Sequence, residues 1–440
     1  MENSIHIAAL DLGSTTIKAM VARKNEDGNL SVLASEQVAS DNCIRRGLVF
    51  NKEEIKNKVS TLIYRLNRRL ESPIEKVYIG VGGQSIRTKS YTLKKEVPGG
   101  IVTQELVDSM LDDAWDFQVD SLETLDVVSP EYYLDGQWEK NPKGALCSEI
   151  EARFNLVVGR SILKKNLVSA TILNANLDNA GFLISPLATA EAVLSDKDKE
   201  LGCALIEFGG GITSVSVYKN GLLRYLTTIP LGGDVITKDI RSLDILDAED
   251  VKKRLSDLEE DNPAREAIEA RVDEIVENVI RQLEESGYMQ SLSAGIVVTG
   301  GGSLLFGLSE VLREKTGKEV RSNLLDPSII QNQSDSCIIG LLSLGTEECL
   351  RKEEPPVVVV GEIDLFGDPI KKPEKKVKKE PDGEQSSKPP KKGGGFLNKF
   401  ARRIDTVSET LFSRIDTVSE TLFKDGDDES DEDDEKMKKN

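Results

Sequence analysis

A two-lobed α/β fold is what this sequence predicts, on three observations. Short apolar runs alternate with helix-like stretches from the start to about residue 350. Three of those runs, Ile7–Leu10, Ala204–Ile206 and Gly295–Val298, read as buried strands. Each ends in a turn: Asp11-Leu-Gly-Ser-Thr-Thr16, Glu207-Phe-Gly-Gly-Gly-Ile-Thr-Ser214 and Thr299-Gly-Gly-Gly-Ser303. Such a turn lets backbone N–H groups approach a phosphate with no Cβ in the way. One is an ordinary strand-end feature, but three spread along the chain describe a nucleotide gripped between two halves.

The residue types of the turns make chemical sense. In the first, Asp11 can hold a hydrated magnesium ion, while Gly13, Ser14, Thr15 and Thr16 offer backbone and hydroxyl donors to terminal phosphates. Lys18 either approaches the same phosphates or, on a helix, points to solvent. In the second, Glu207 would sit opposite Asp11, with Gly209, Gly210, Gly211 and Thr213 forming a facing hairpin. In the third, Gly300, Gly301, Gly302 and Ser303 would flank the adenosine.

Length and composition bound the rest. At 440 residues the chain exceeds one ordinary core, so two or more domains are expected. A net charge of −19 argues against nucleic acid as a main partner, because phosphate backbones need a basic face. Cys43, Cys147, Cys203, Cys337 and Cys349 show no metal-type spacing and read as reduced, mostly buried thiols. The start, Met1-Glu-Asn-Ser-Ile-His6, shows no signal-peptide pattern, and no apolar run reaches the ~18 residues of a spanning helix, so any membrane contact is expected to be peripheral.

The character changes at Pro355. After a short strand-like run, Val357–Val360, the stretch from Lys371 to Lys392 is rich in lysine, proline and serine and cannot bury enough surface to fold alone. Beyond Gly393-Gly-Gly395, the segment Arg403–Phe412 recurs word for word as Arg414–Phe423. Eleven residues at 100° each overshoot three helical turns by only about 20°, so equivalent side chains fall on nearly one face. Phe400, Ile404, Val407, Leu411, Ile415, Val418 and Leu422 form one apolar stripe, widened by Phe412 and Phe423 and preceded by Phe396 and Leu397. On a tether, this face needs an outside partner, either an anionic membrane surface or another helix. An acidic run, Asp425–Glu435, follows.

The three turns together resemble the actin/Hsp70/sugar-kinase superfamily of ATPases. Ser185–Leu194, Ile229–Ile240, Val297–Ser303, Val77–Gln84 and the tract Val128–Val158 are similar to the FtsA family of bacterial cell-division actin homologues, over residues 5 to about 350. The resemblance implies an actin-like fold with these parts: lobe 1 (1–84 and 166–192), an inserted 1C-type subdomain (85–165), lobe 2 (193–235 and 297–350) and its upper subdomain (236–296). A linker (355–395), an amphipathic membrane-targeting helix (396–424) and an acidic tail (425–440) would follow. It implies ATP with Mg²⁺ in the cleft, head-to-tail filaments, and tethering of the tubulin-like FtsZ, with other division proteins, to the inner face of the cytoplasmic membrane at the division site. By motif, Gly232, Gly233 and Asp234 would lie near the cleft, Lys252 would approach the nucleoside, and Arg271 would meet acidic groups of the FtsZ C-terminal peptide or serve as helix-surface charge.

This chain departs from the family in two places. The second turn usually begins with aspartate, and Glu207, the one candidate for a catalytic role, is longer by a methylene. A displacement of about 1 Å at a reacting water costs a large factor in rate, so hydrolysis is expected to be weak or absent. The family's terminal helix also normally closes the chain, whereas an acidic segment follows here. Two other readings stay open: an actin-like pilus-assembly protein, and a sugar-kinase-type phosphotransferase.

Overall fold

The computed structural model describes residues 4–351 apart from 119–120, 176, 254, 306 and 323–331. The linker, the amphipathic helix with Phe396 to Phe423, and the acidic tail lie outside the described residues.

The chain begins with a meander, β1 (Ile5–Leu12), β2 (Thr16–Lys24) and β3 (Leu30–Ala39), followed by a small ribbon of β4 (Ile44–Arg45) and β5 (Leu48–Val49). Helix α1 (Lys52–Asn67) leads into β6 (Lys76–Val81). Ile7, Ala8, Ala9 and Leu10 are at most 1 % exposed, the near-continuous apolar run of a central strand covered on both faces. Helix α1 starts where Asn51 Oδ1 accepts the Glu54 N–H, and it buries Ile55, Val59, Leu62, Ile63 and Leu66 on one face. The inserted segment is β7 (Arg87–Glu96), α2 (Gln104–Asp116), β8 (Leu122–Leu134), β9 (Gln137–Glu139) and β10 (Glu149–Arg160). Then come α3 (Ile162–Ala175), β11 (Asp178–Ile184), α4 (Ser185–Val193) and α5 (Asp196–Leu201). The second half runs β12 (Cys203–Phe208), β13 (Thr213–Lys219), β14 (Leu222–Ile229), α6 (Gly233–Ser242), α7 (Ala248–Lys253) and α8 (Pro263–Glu285). It continues with β15 (Ile296–Thr299), α9 (Leu308–Thr316), β16 (Val320–Ser322) and α10 (Ser336–Leu344).

Strand order shows that the halves are built alike. The first sheet is β11-β6-β1-β2-β3, and the second contains β16-β15-β12-β13-β14. In each, an antiparallel meander of three is extended by two parallel strands. Parallel neighbours need crossovers, and helices supply them. Consequently β1 and β12 occupy equivalent places, and so do the turns that follow them. The two lobes are joined by the crossing of α4 and α10, which is so close that a Cβ at Gly340 would overlap the Ala188 carbonyl.

The inserted segment forms its own core, with Met110, Ala114, Ile150, Ala152, Phe154 and Leu156 between α2 and its sheet. Although its chain enters from β6 of the first lobe, its strands extend the second sheet, in the order β14-β7-β10-β8-β9. One backbone pair, Thr227 with Arg87, makes that seam. Side chains reinforce it: Arg224 forks onto Glu131 at 2.6 and 3.2 Å, and Asn155 donates to the Leu223 carbonyl at 2.8 Å.

Candidate functional site

The first two turns are matching hairpin tips. Gly13 N–H donates to the Thr16 carbonyl at 3.1 Å, and Gly209 N–H donates to the Ile212 carbonyl at 3.0 Å. In each case one glycine closes the turn and the next two residues, Ser14 and Thr15 or Gly210 and Gly211, form the tip. The tips meet: a Cβ on Gly210 would overlap Thr15 Oγ1, and one on Gly211 would come 2.6 Å from Ser14 Oγ. Thr15 Oγ1 donates to Asp234 Oδ1 at 3.2 Å. Asp234 sits in the first turn of α6, whose Gly233 and Asp234 N–H groups donate to the carbonyls of Gly209 and Gly210, each at 2.9 Å. Gly232 is required there, because a side chain would run into both carbonyls.

The third turn stacks on the second. Gly300, at φ 85°, leaves no room for a Cβ beside Phe208, and Gly302 would bring one 3.0 Å from the Phe208 Cβ. Ser303 Oγ bonds to the Gly300 carbonyl at 2.7 Å and contacts Gln333. Lys252 reaches from α7 to Thr237 Oγ1 at 2.7 Å, the Gly233 carbonyl at 3.3 Å and Glu249 at 2.9 Å, and so braces the start of α6. Residues separated by about two thirds of the chain's length thus form one assembly.

At its root lie two carboxylates. Glu207 pairs in register with Thr299 on one side and Ser214 on the other. Burial pushes its carboxyl up to about 8, and the neighbouring Asp11 charge adds to that, against a hydrogen bond with Thr189 and the Lys18 charge. Burial also raises Asp11, opposed by Lys18 and by a hydrogen bond with Cys337. Among the described residues, no three His, Cys, Asp or Glu side chains are grouped to cage a metal. Two buried carboxylates beside N–H-bearing tips, with the Lys18 charge acting on both, suit a Mg²⁺ ion shared with phosphates, the usual mode for that ion.

Two side chains, Lys18 and Thr213, differ from expectation, and Arg271 is engaged by its neighbours. Lys18 lies on strand β2, where its side chain is buried and not solvent-facing. Its three N–H donors go to Ser334 O at 2.5 Å, Ser334 Oγ at 2.7 Å and Asp335 Oδ1 at 2.6 Å, so none is left for a phosphate. Thr213 is fully buried, and its hydroxyl donates to the Leu231 carbonyl at 2.8 Å, bracing the loop before α6. Arg271 bonds Asp239 at 2.7 Å and also Glu274, and its charge ties α8 to α6. Thr189, Cys337 and the loop from Ser40 to Phe50 belong to the site and were not anticipated. Only the loop carried a signal, the run Arg45-Arg46-Gly47 between Ile44 and Leu48.

The carboxyl shift has a measurable consequence. The folded chain holds a proton on Glu207 between the ordinary value of 4.5 and about 8, where the unfolded chain has lost it. Stability without ligand should therefore fall as pH rises through that window, by an amount on the order of a few kcal/mol. Glu207→Gln should flatten the profile and be the more stable protein at pH 8. Parallel melting-temperature profiles of parent and variant between pH 5 and 8.5 would contradict the assignment.

Comparison with known proteins agrees with this architecture. Residues 204–337 match the family described as "Cell division protein FtsA", and residues 83–158 match the "SHS2 domain inserted in FTSA". The cell division protein FtsA of Porphyromonas gingivalis is 34% identical over 383 residues, covering 79% of this chain and 79% of that protein. That of Escherichia coli K12 is 28% identical over 389 residues, covering 79% and 92%. A solved PilM-PilN type IV pilus biogenesis complex is similar in fold, with a TM-score of 0.56 at 15% identity, covering 78% of this chain and 98% of the other. The chain is an actin-like protein with an inserted SHS2 domain, and it belongs to the FtsA family of cell-division proteins.

Proposed function

We propose that this chain is an ATP-binding adaptor that polymerises and anchors the FtsZ ring to the inner face of the cytoplasmic membrane. The observation that carries the nucleotide half of this reading is the meeting of two equivalent hairpin tips, Ser14-Thr15 and Gly210-Gly211, above Asp11 and Glu207. The tip N–H groups and the Ser14 and Thr15 hydroxyls would bind the phosphates. Asp11 and Glu207 would hold Mg²⁺ through water, and the ion would neutralise phosphate charge. Gly232, Gly233, Asp234 and Lys252 would line the cleft beside the nucleoside, and Gly300 to Ser303 would flank the adenosine. Lys18, its donors used, holds Asp335 and lends its charge to Asp11. Hydrolysis would be slow, since Glu207, longer by a methylene than the aspartate usual at this place, would misplace the reacting water.

The membrane half rests on the duplicated amphipathic segment and on membership of a cell-division family. No helix among the described residues is long and apolar enough to cross a membrane. The upper subdomain, 236–296, would receive the FtsZ C-terminal peptide. An acidic group of that peptide reaching Arg271 would have to compete with Asp239. Head-to-tail contact does not close on itself and yields filaments. The pilus-assembly reading loses its support, because the likeness to that complex extends to the fold alone. A sugar kinase would have no use for the terminal segment.

Co-sedimentation with anionic liposomes tests the whole reading. With ATP and Mg²⁺, FtsZ should pellet only when this chain is present. FtsZ remaining in the supernatant with the chain on the liposomes would refute the adaptor role.

A further inference from the structure

The loop between β3 and α1 is tied to both phosphate turns. Ser40, fully buried, donates its N–H to the Thr15 carbonyl at 2.8 Å and its hydroxyl to the Gly13 carbonyl at 2.6 Å. Gly47 N–H donates to Ser14 Oγ at 3.3 Å. The Arg46 backbone nitrogen lies 3.1 Å from the point a Gly211 Cβ would occupy. Arg46 and Gly47 are thus set against the tips of both hairpins.

Their conformation is unusual for the residue types. The ribbon pairs Ile44 with Val49 and Arg45 with Leu48, so Arg46-Gly47 is a two-residue hairpin loop. Both residues have positive φ, 50° and 76°. That loop favours Asn-Gly or Asp-Gly, because Asn and Asp tolerate the left-handed region and arginine does not share that advantage. Strained backbone of this kind concentrates at functional sites. The arginine side chain is exposed, and among the described residues no carboxylate, ring or hydrogen-bond acceptor engages it. Its neighbour differs: the Arg45 guanidinium lies 3.8 Å over the Phe50 ring. In a chain of net charge −19, an unpaired cation whose backbone is set against two N–H-bearing tips is suited to an anion held by those tips.

The loop also reaches the root of the inserted domain. The Arg46 carbonyl accepts the Gln84 N–H at 3.1 Å, and a Cβ on Gly47 would overlap Gly83. The Gly83 carbonyl in turn accepts from Thr228 of β14 at 2.8 Å. From there the chain enters β7.

Resting on the nucleotide reading above, we propose that Arg46 binds the terminal phosphate of the nucleoside triphosphate, and that this bond communicates the phosphate's presence through Gln84 to the inserted domain. The guanidinium fork suits phosphate oxygens, and a terminal phosphate is the part of the ligand that distinguishes tri- from diphosphate.

Arg46→Asn tests this in the full chain, because asparagine suits the turn and lacks the cation. Its melting temperature should equal or exceed that of the parent. By calorimetry with Mg²⁺, affinity for a non-hydrolysable ATP analogue should fall about ten-fold or more, the worth of a charge-assisted hydrogen bond, while ADP affinity holds. Arg46→Lys should recover part of the loss, and Arg45→Gln should lose none. In the parent alone, the analogue should slow hydrogen exchange at the Gln84 amide relative to ADP. An unchanged ratio of triphosphate to diphosphate affinity in Arg46→Asn would overturn the proposal with the nucleotide site intact. An effect of inorganic phosphate on the parent alone, with that ratio retained in the variant, would assign Arg46 to free phosphate and overturn it too. A parent that binds neither nucleotide would remove the nucleotide reading itself.

Discussion

Gly210→Val is expected to abolish useful ATP binding while leaving a folded protein. Even one carbon at this position would overlap Thr15 Oγ1 and stand 2.9 and 3.1 Å from the Asp234 carboxylate oxygens. The two tips would have to part, the Thr15 to Asp234 bond would be lost, and the N–H groups of the second tip would leave the phosphate position. Overpacking of this kind costs on the order of 1–3 kcal/mol, and misaligned donors add to it, so a loss of about 100-fold in affinity is expected. Calorimetry that found parent-like ATP affinity in Gly210→Val would remove the second turn from the site.

Ile415→Asp with Leu422→Asp should release the chain from anionic liposomes. Both positions fall on the apolar stripe of the second repeat, and the first repeat would share the helix that the 11-residue period predicts. Insertion of one repeat makes insertion of the other effectively intramolecular, so damage to one weakens both. Two carboxylates in the apolar face cost several kcal/mol at a headgroup boundary, on the order of what one repeat contributes. ATP binding by residues 1–352 should not change. If variant and parent float equally, the stripe serves another helix rather than lipid.

These predictions draw on different kinds of information. The turn assignment was legible in the sequence because a buried strand followed by Gly-rich punctuation is a local pattern, and Asp11 to Thr16, Glu207 to Ser214 and Thr299 to Ser303 each contain theirs complete. The repeat at 403–423 was legible for the same reason, since helical periodicity is set by spacing along the chain. Lys18 was misread because its partners, Ser334 and Asp335, are more than 300 residues away. Its strand could have been inferred from Thr16–Lys24, but nothing near it announces a carboxylate.

What the sequence by itself determined is the three strand-end glycine turns and the 11-residue repeat, because both follow from residue type and spacing within short segments. Only the tertiary structure decided which hydroxyls and charges remain available. It committed Thr213 to the Leu231 carbonyl and Arg271 to Asp239, and it left Arg46 without a partner among the described residues. It also decided that the inserted domain, carried on the chain of the first lobe, completes the sheet of the second through Arg87 and Thr227. The physical reason is common to all of these. A hydrogen bond or ion pair is made with whatever folding brings within about 3 Å, and over such sequence separations the packing of strands and helices, not adjacency, selects the partner.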